Sequence, residues 1–107
     1  MKLIIAIVNH DDAGAVTQNL AKNGFSSTRL STTGGFLLAG NVTLLIGVEE
    51  DQVQAAIDLI RERSHSRKQM VPALTEMSYG FMPVMPVEVT VGGATLFVVD
   101  VERFERL

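Results

Sequence analysis

The chain has 107 residues, 47% of them apolar and 20% charged, with a formal net charge of −3 and no cysteine. That suits one ordinary globular domain spanning residues 1–107. It argues against a general nucleic-acid or anionic-membrane partner, excludes disulfides and thiol chemistry, and holds no apolar run of the roughly 20 residues a membrane span needs.

Leu3 to Val8 is apolar at every position, which predicts a central strand covered on both faces, one cover being another subunit in so small a chain. The opening run is also too short for a signal peptide and passes straight into His10-Asp11-Asp12, so a cytoplasmic location is expected. Asn9 to Asp12 supplies a turn and an N-cap, after which Ala13, Val16, Leu20 and Ala21 recur at helical spacing. Asn23-Gly24 predicts the helix stop, with Gly24 in the left-handed conformation. Phe25 to Leu30 follows as a strand, which completes a βαβ unit expected to be right-handed.

The stretch Ser31-Thr32-Thr33-Gly34-Gly35-Phe36-Leu37-Leu38-Ala39-Gly40-Asn41 reads as a glycine-rich turn between strands. Phe36 and Leu37 do not suit a plain turn, since an apolar pair between glycines usually meets another subunit or a ligand. Val42 to Val48 is a second central strand. Gly47 inside it reads either as a bulge or as a place where a ligand lies against bare backbone. Glu49-Glu50-Asp51 opens a second helix with Val53, Ala56, Ile57 and Ile60 as its buried stripe. Arg61, Arg63, Arg67 and Lys68 near its end read as solvated helix-end charges or as an anion-attracting rim.

From Ser64 to Pro86 three prolines and Met70, Met77, Tyr79, Phe81 and Met82 predict a long apolar loop that packs on something or orders on binding. Val87 to Val91 alternates as a strand, Gly92-Gly93 predicts a hairpin turn, and Ala94 to Val101 returns. Phe104 and Leu107 stand one helical turn apart. The order predicts an α+β, ferredoxin-like βαββαβ sandwich with an extra hairpin strand. Both helices then share one sheet face, and self-association would cover the other.

Chemistry is sparse. His10 and His65 fit no metal-ligand spacing, no serine or threonine is singled out as a nucleophile, and Gly34-Gly35 with Gly40 matches no phosphate-loop pattern. Neither an enzyme, a metal nor a cofactor is expected.

The residues themselves resemble a known family. Met1 to Val8, the T-T-G-G-F-L-x-A-G-N block, Leu45-Ile46-Gly47-Val48, Ser66-Arg67, Pro86 to Val89, Val91-Gly92-Gly93-Ala94-Thr95 and Val101 to Phe104 are similar to the PII-like cyclic-di-AMP receptors, signal transduction proteins. The resemblance runs from end to end. It implies a homotrimer whose sheets face inward, a cyclic-di-AMP or other adenine-nucleotide ligand in clefts between subunits, and output through loop rearrangement to an unidentified protein partner. The ligand-binding positions it implies are Thr28, Gly35, Phe36, Leu37, Asn41, Gly47 and Phe97. The physics fits, because Asn41 offers a donor and an acceptor to an adenine edge, Phe36 and Leu37 offer apolar faces, and backbone N–H groups at a glycine pair can meet phosphate.

One stretch departs from the family pattern. Its ligand-binding members resemble Asn-Phe-Arg-x-Thr where this chain has Gly24-Phe25-Ser26-Ser27-Thr28. Gly24 keeps the backbone option and loses an amide. Ser26 removes a cation that could pair with phosphate, a charge-assisted contact worth about 1.5–3 kcal/mol. Unreplaced, that loss weakens affinity by roughly 10- to 150-fold. Arg106 near the C-terminus is a possible replacement, whereas Arg29, three positions along the strand, faces the other way. The alternative reading is therefore a PII-like trimer that binds another adenine nucleotide or has lost ligand binding.

Overall fold

A computed structural model describes residues 1–30, 40–72 and 86–107. The predicted roles of Gly35, Phe36 and Leu37 lie outside the described residues. Strand β1 (Lys2–Asn9) leads into helix α1 (His10–Lys22), followed by β2 (Thr28–Leu30) and β3 (Asn41–Val48). A short 3-10 turn (Glu50–Gln52) then precedes α2 (Val53–Ser64), and three strands complete the chain: β4 (Arg67–Pro72), β5 (Pro86–Val91) and β6 (Ala94–Asp100).

The main sheet has the order β2-β3-β1-β6, every neighbouring pair antiparallel. β1 is central, as its unbroken apolar run predicts. Its even positions Ile4, Ala6 and Val8 and the matching β3 residues Val42, Leu44, Ile46 and Val48 are buried. They pack against Ala13, Val16 and Leu20 of α1 and Ala56 and Ile60 of α2, so both helices lie on one face. Burying a leucine or isoleucine side chain of this kind stabilises the fold by about 1.5–3 kcal/mol. The side chain of Asn19 ties the helices together, donating to the carbonyl of Leu59 and to Glu62, each at 2.9 Å.

The ends of α1 follow from its caps. Asn9 Oδ1 accepts from the Asp11 amide at 2.9 Å, with Asp11 and Asp12 in the first turn. At the other end the Phe25 amide donates to the Leu20 carbonyl and the Gly24 amide to the Ala21 carbonyl, while Gly24 takes φ +86°. This is a Schellman stop, with Phe25 packed against the core.

Six local expectations are corrected. Ala21 is exposed rather than in the buried stripe, and β2 is confined to Thr28–Leu30 because the Schellman turn occupies Gly24 and Phe25. Gly47 is no bulge, since β3 keeps an unbroken register with β1 in which Gly47 faces Leu3. The predicted loop after Ser64 contains β4, and the extra strand β5 pairs with it, Arg67 opposite Val91, in a separate two-stranded ribbon. β5 and β6 therefore form no hairpin, although Gly92 and Gly93 both take positive φ. The physical reason lies in the strands: β6 has the apolar content for the central sheet, whereas β5 exposes Glu88 and Thr90 and suits a wet ribbon. The chain end from Val101 has no regular secondary structure, so Phe104 and Leu107 do not share a helix face.

Of the basic cluster, Arg61 pairs with Asp58, Lys68 with Glu88 and Arg67 with Asp12. These pairs spread the charges over separate parts of the surface, which favours the solvated reading over an anion-attracting rim.

Candidate ligand-binding clefts

The sheet face away from the helices carries Leu3, Ile5 and Ile7 from β1. Beside them stand Asn41, Thr43, Leu45 and Gly47 from β3, with Thr95, Phe97 and Val99 from β6. It stays open: Phe97 is 54% exposed, Val99 41% and Leu30 40%. Large apolar side chains on a continuous sheet face mark an interaction surface rather than a solvated one.

At one end of this face lies a cleft of about 550 Å³. It brings together Gly24 and Ser26 from the turn after α1, Thr28 from β2, Gly47 from β3 and Arg106 from the C-terminal tail. The elements explain the convergence. The Schellman turn aims Gly24 to Ser26 back over the sheet. Thr28 stands opposite Leu45 in the β2–β3 ladder, and alternation along β3 puts Leu45 and Gly47 on the same face. A Cβ built on Gly47 would meet nothing within 4 Å. The glycine therefore opens the cleft rather than relieving a close contact. Arg29 stands opposite Leu44, whose side is the helix face, so it cannot supply a cation to this cleft.

Three further cleft residues, Glu49, Gln52 and Phe104, are not foreseen by the sequence reading. Phe104 is 61% exposed and lines the cleft together with Arg106, two residues on. No sequence periodicity links them, because the tail is irregular. The cleft thus combines apolar surface from Leu3, Leu45 and Phe104 with hydroxyl donors, the Gln52 carboxamide, the Glu49 carboxylate and the Arg106 guanidinium. This set suits a ligand with flat apolar faces and polar edges, with negative charge met only at the Arg106 end. Behind it, Lys2 pairs with Asp100 across the β1–β6 ladder. The hydrogen bond between them holds the Asp100 carboxyl below the usual carboxylate range and raises the Lys2 ammonium above its ordinary value.

Asn41 is elsewhere. It lines a second, polar cleft of about 310 Å³ with Asn9, its cross-strand partner, and with Gly92, Gly93 and Thr95. Asn41 and Gly47 are six residues apart along β3, which places them about 20 Å from each other. Phe97 stands mid-sheet opposite Ile5 and lines neither cleft. Within one protomer, then, five of the expected positions converge, Asn41 belongs to a different recess and Phe97 lies between. His10 and His65 are exposed and lie outside the larger cleft. Among the described residues no cluster of three His, Asp or Glu side chains could hold a metal ion, and no helix is long and apolar enough to cross a membrane.

A solved structure of a protein from Pediococcus pentosaceus, described as functionally unknown, superposes with a TM-score of 0.73 at 40% sequence identity, covering 99% of this chain and 96% of that one. The family description "Cyclic-di-AMP receptor" matches residues 1–107, the whole chain. The chain belongs to the cyclic-di-AMP receptor family, with an α+β, ferredoxin-like PII-like fold.

Proposed function

We propose that this chain is a cytoplasmic sensor that binds cyclic-di-AMP in clefts between the subunits of a homotrimer. Occupancy then changes the loops that a protein partner reads. The observation that carries this reading is the separation of Asn41 from Gly47 on one open sheet face. One compact cyclic dinucleotide does not engage both ends of β3 in a single protomer. It does so where the Gly47 cleft of one subunit meets the Asn41 recess of the next, and packing the apolar faces of Ile5, Phe97 and Val99 together draws subunits into contact. In this reading Thr28, Gly35, Phe36, Leu37, Asn41, Gly47 and Phe97 form the site, with no metal and no catalytic step.

A second reading rests on Gly24 and Ser26. Both line the larger cleft, yet neither supplies the amide or cation expected at its position. Arg106, in the same cleft, offers a guanidinium from the tail, and the cleft then holds a phosphate-bearing adenine ligand of altered geometry or reduced affinity. Calorimetry with cyclic-di-AMP on the purified protein separates the readings. One site per subunit at micromolar affinity or tighter, weakened by Asn41→Ala, supports the first, and silence up to millimolar removes it. A thermal-shift series with ATP, ADP, AMP and other cyclic dinucleotides then tests the second. Light scattering reporting a mass of one chain would overturn the trimer.

A further inference from the structure

We infer that Asp12 and Arg67 form a clamp that fixes the direction of the β4–β5 ribbon relative to the α/β body. Both strands of the ribbon are rooted at one point. Arg67 begins β4, its partner Val91 ends β5, and Gly92 follows directly. At this root the Arg67 guanidinium forks onto Asp12 in the first turn of α1. Nη2 donates to Oδ1 at 3.1 Å and Nη1 to Oδ2 at 3.2 Å. The Asp12 carboxylate is 10% exposed and the Arg67 side chain 39%. A two-point, half-buried pair of this kind fixes angle as well as distance, unlike a surface pair held at one atom.

Gly92 completes the clamp. It takes φ +79°, and a Cβ there would stand 2.5 Å from Arg67 Nη1 and 2.7 Å from the His65 carbonyl oxygen. The guanidinium thus occupies the space that a side chain at position 92 would need. The same glycine pair also lines the Asn41 recess. Recess wall, ion pair and ribbon root are therefore one packed unit, and the direction of the ribbon is tied to the shape of the recess. Lys68 pairs with Glu88 within the ribbon, so it stiffens the ribbon without joining it to the body.

The absence of cysteine makes the test direct. Spin labels at Ala15→Cys on α1 and Thr90→Cys on β5, both exposed, report the angle between body and ribbon by pulsed electron paramagnetic resonance. Labelled chain is diluted with unlabelled chain so that only distances within one subunit are read. The parent protein gives one narrow distance distribution. Asp12→Asn, Arg67→Lys and Gly92→Ala each broaden and shift it while far-UV circular dichroism keeps its helical signal, and Lys68→Gln leaves it narrow. Narrow, superimposable distributions in Arg67→Lys and Gly92→Ala would overturn the clamp, even where Asp12→Asn unfolds. No ligand enters the measurement, so failure of the clamp is distinguishable from failure of the cyclic-di-AMP reading.

Discussion

Gly47→Val separates what the fold requires at this position from what the ligand requires. Gly47 lies in a strand with unbroken register, is absent from the positive-φ glycines, and has open space where its Cβ would be. Valine suits a strand, and glycine in a strand interior costs roughly 0.5–1 kcal/mol relative to alanine. The variant therefore melts a few degrees higher than the parent, on the scale of about 4–8 °C per kcal/mol for a domain near this size. The same side chain points into the cleft beside Thr28 and Leu45. Forcing a ligand against it costs about 1–3 kcal/mol, the usual range for overpacking. Cyclic-di-AMP affinity then falls by roughly 5- to 150-fold. Scanning calorimetry without ligand gives the first number and titration calorimetry the second. A lower melting temperature would show that the backbone needs glycine for packing, and an unchanged affinity would show that this cleft does not hold the ligand.

Three further outcomes follow from the same geometry. Ser26→Arg returns a cation to the larger cleft and tightens cyclic-di-AMP binding by roughly 10- to 150-fold in titration calorimetry; no gain would mean that position 26 does not reach phosphate. Val99→Arg puts a charge on the open apolar face, outside both clefts, and shifts the protein to single chains in analytical ultracentrifugation; an unchanged mass would refute that face as the subunit contact. Lys2 and Asp100 link stability to pH in two windows. Asp100 is held below its ordinary value, so its contribution is present above about pH 4 and lost as pH falls through the lowered value. Lys2 is held above its own, so its contribution is present below about pH 10 and lost as pH rises further. Asp100 is exposed and Lys2 only partly covered, so the effect is small. Lys2→Gln flattens the difference in denaturation midpoint between pH 3 and pH 6, and an identical pH profile would show that the pair contributes nothing.

Most of the fold was legible because burial imposes periodicity. An all-apolar β1, a 3.6-residue stripe at Ala13, Val16 and Leu20, and an Asn9 cap each admit one reading. The failures share a cause. Arg67-Lys68-Gln69-Met70 shows no apolar alternation, because β4 belongs to a ribbon of two strands and not to the central sheet. Gly92-Gly93 has the composition of a hairpin turn and the positive φ of one, yet it joins two different sheets. Local turn chemistry fixes the dihedral angles at a glycine pair and not which strands then find each other. Arg67, at the start of β4, instead meets Asp12 of α1, a contact between residues 55 positions apart that no local pattern announces.

The clefts were legible by a different route and to a different extent. Resemblance in the T-T-G-G-F-L-x-A-G-N block points to Asn41, and resemblance in the following strand points to Gly47. Their closeness in sequence suggests one pocket. Strand geometry says otherwise, since six residues of β-strand separate two odd positions by about 20 Å while keeping them on one face. In the proposed assembly, same face and opposite ends let each subunit present both halves of a shared site, completed when a neighbour is rotated onto it. The departures at Gly24 and Ser26 fall in the half that also contains Arg106. Any compensation for the lost cation therefore occurs within one protomer's contribution, and Arg106→Ala should weaken nucleotide binding far more here than in a relative that keeps an arginine at the position of Ser26.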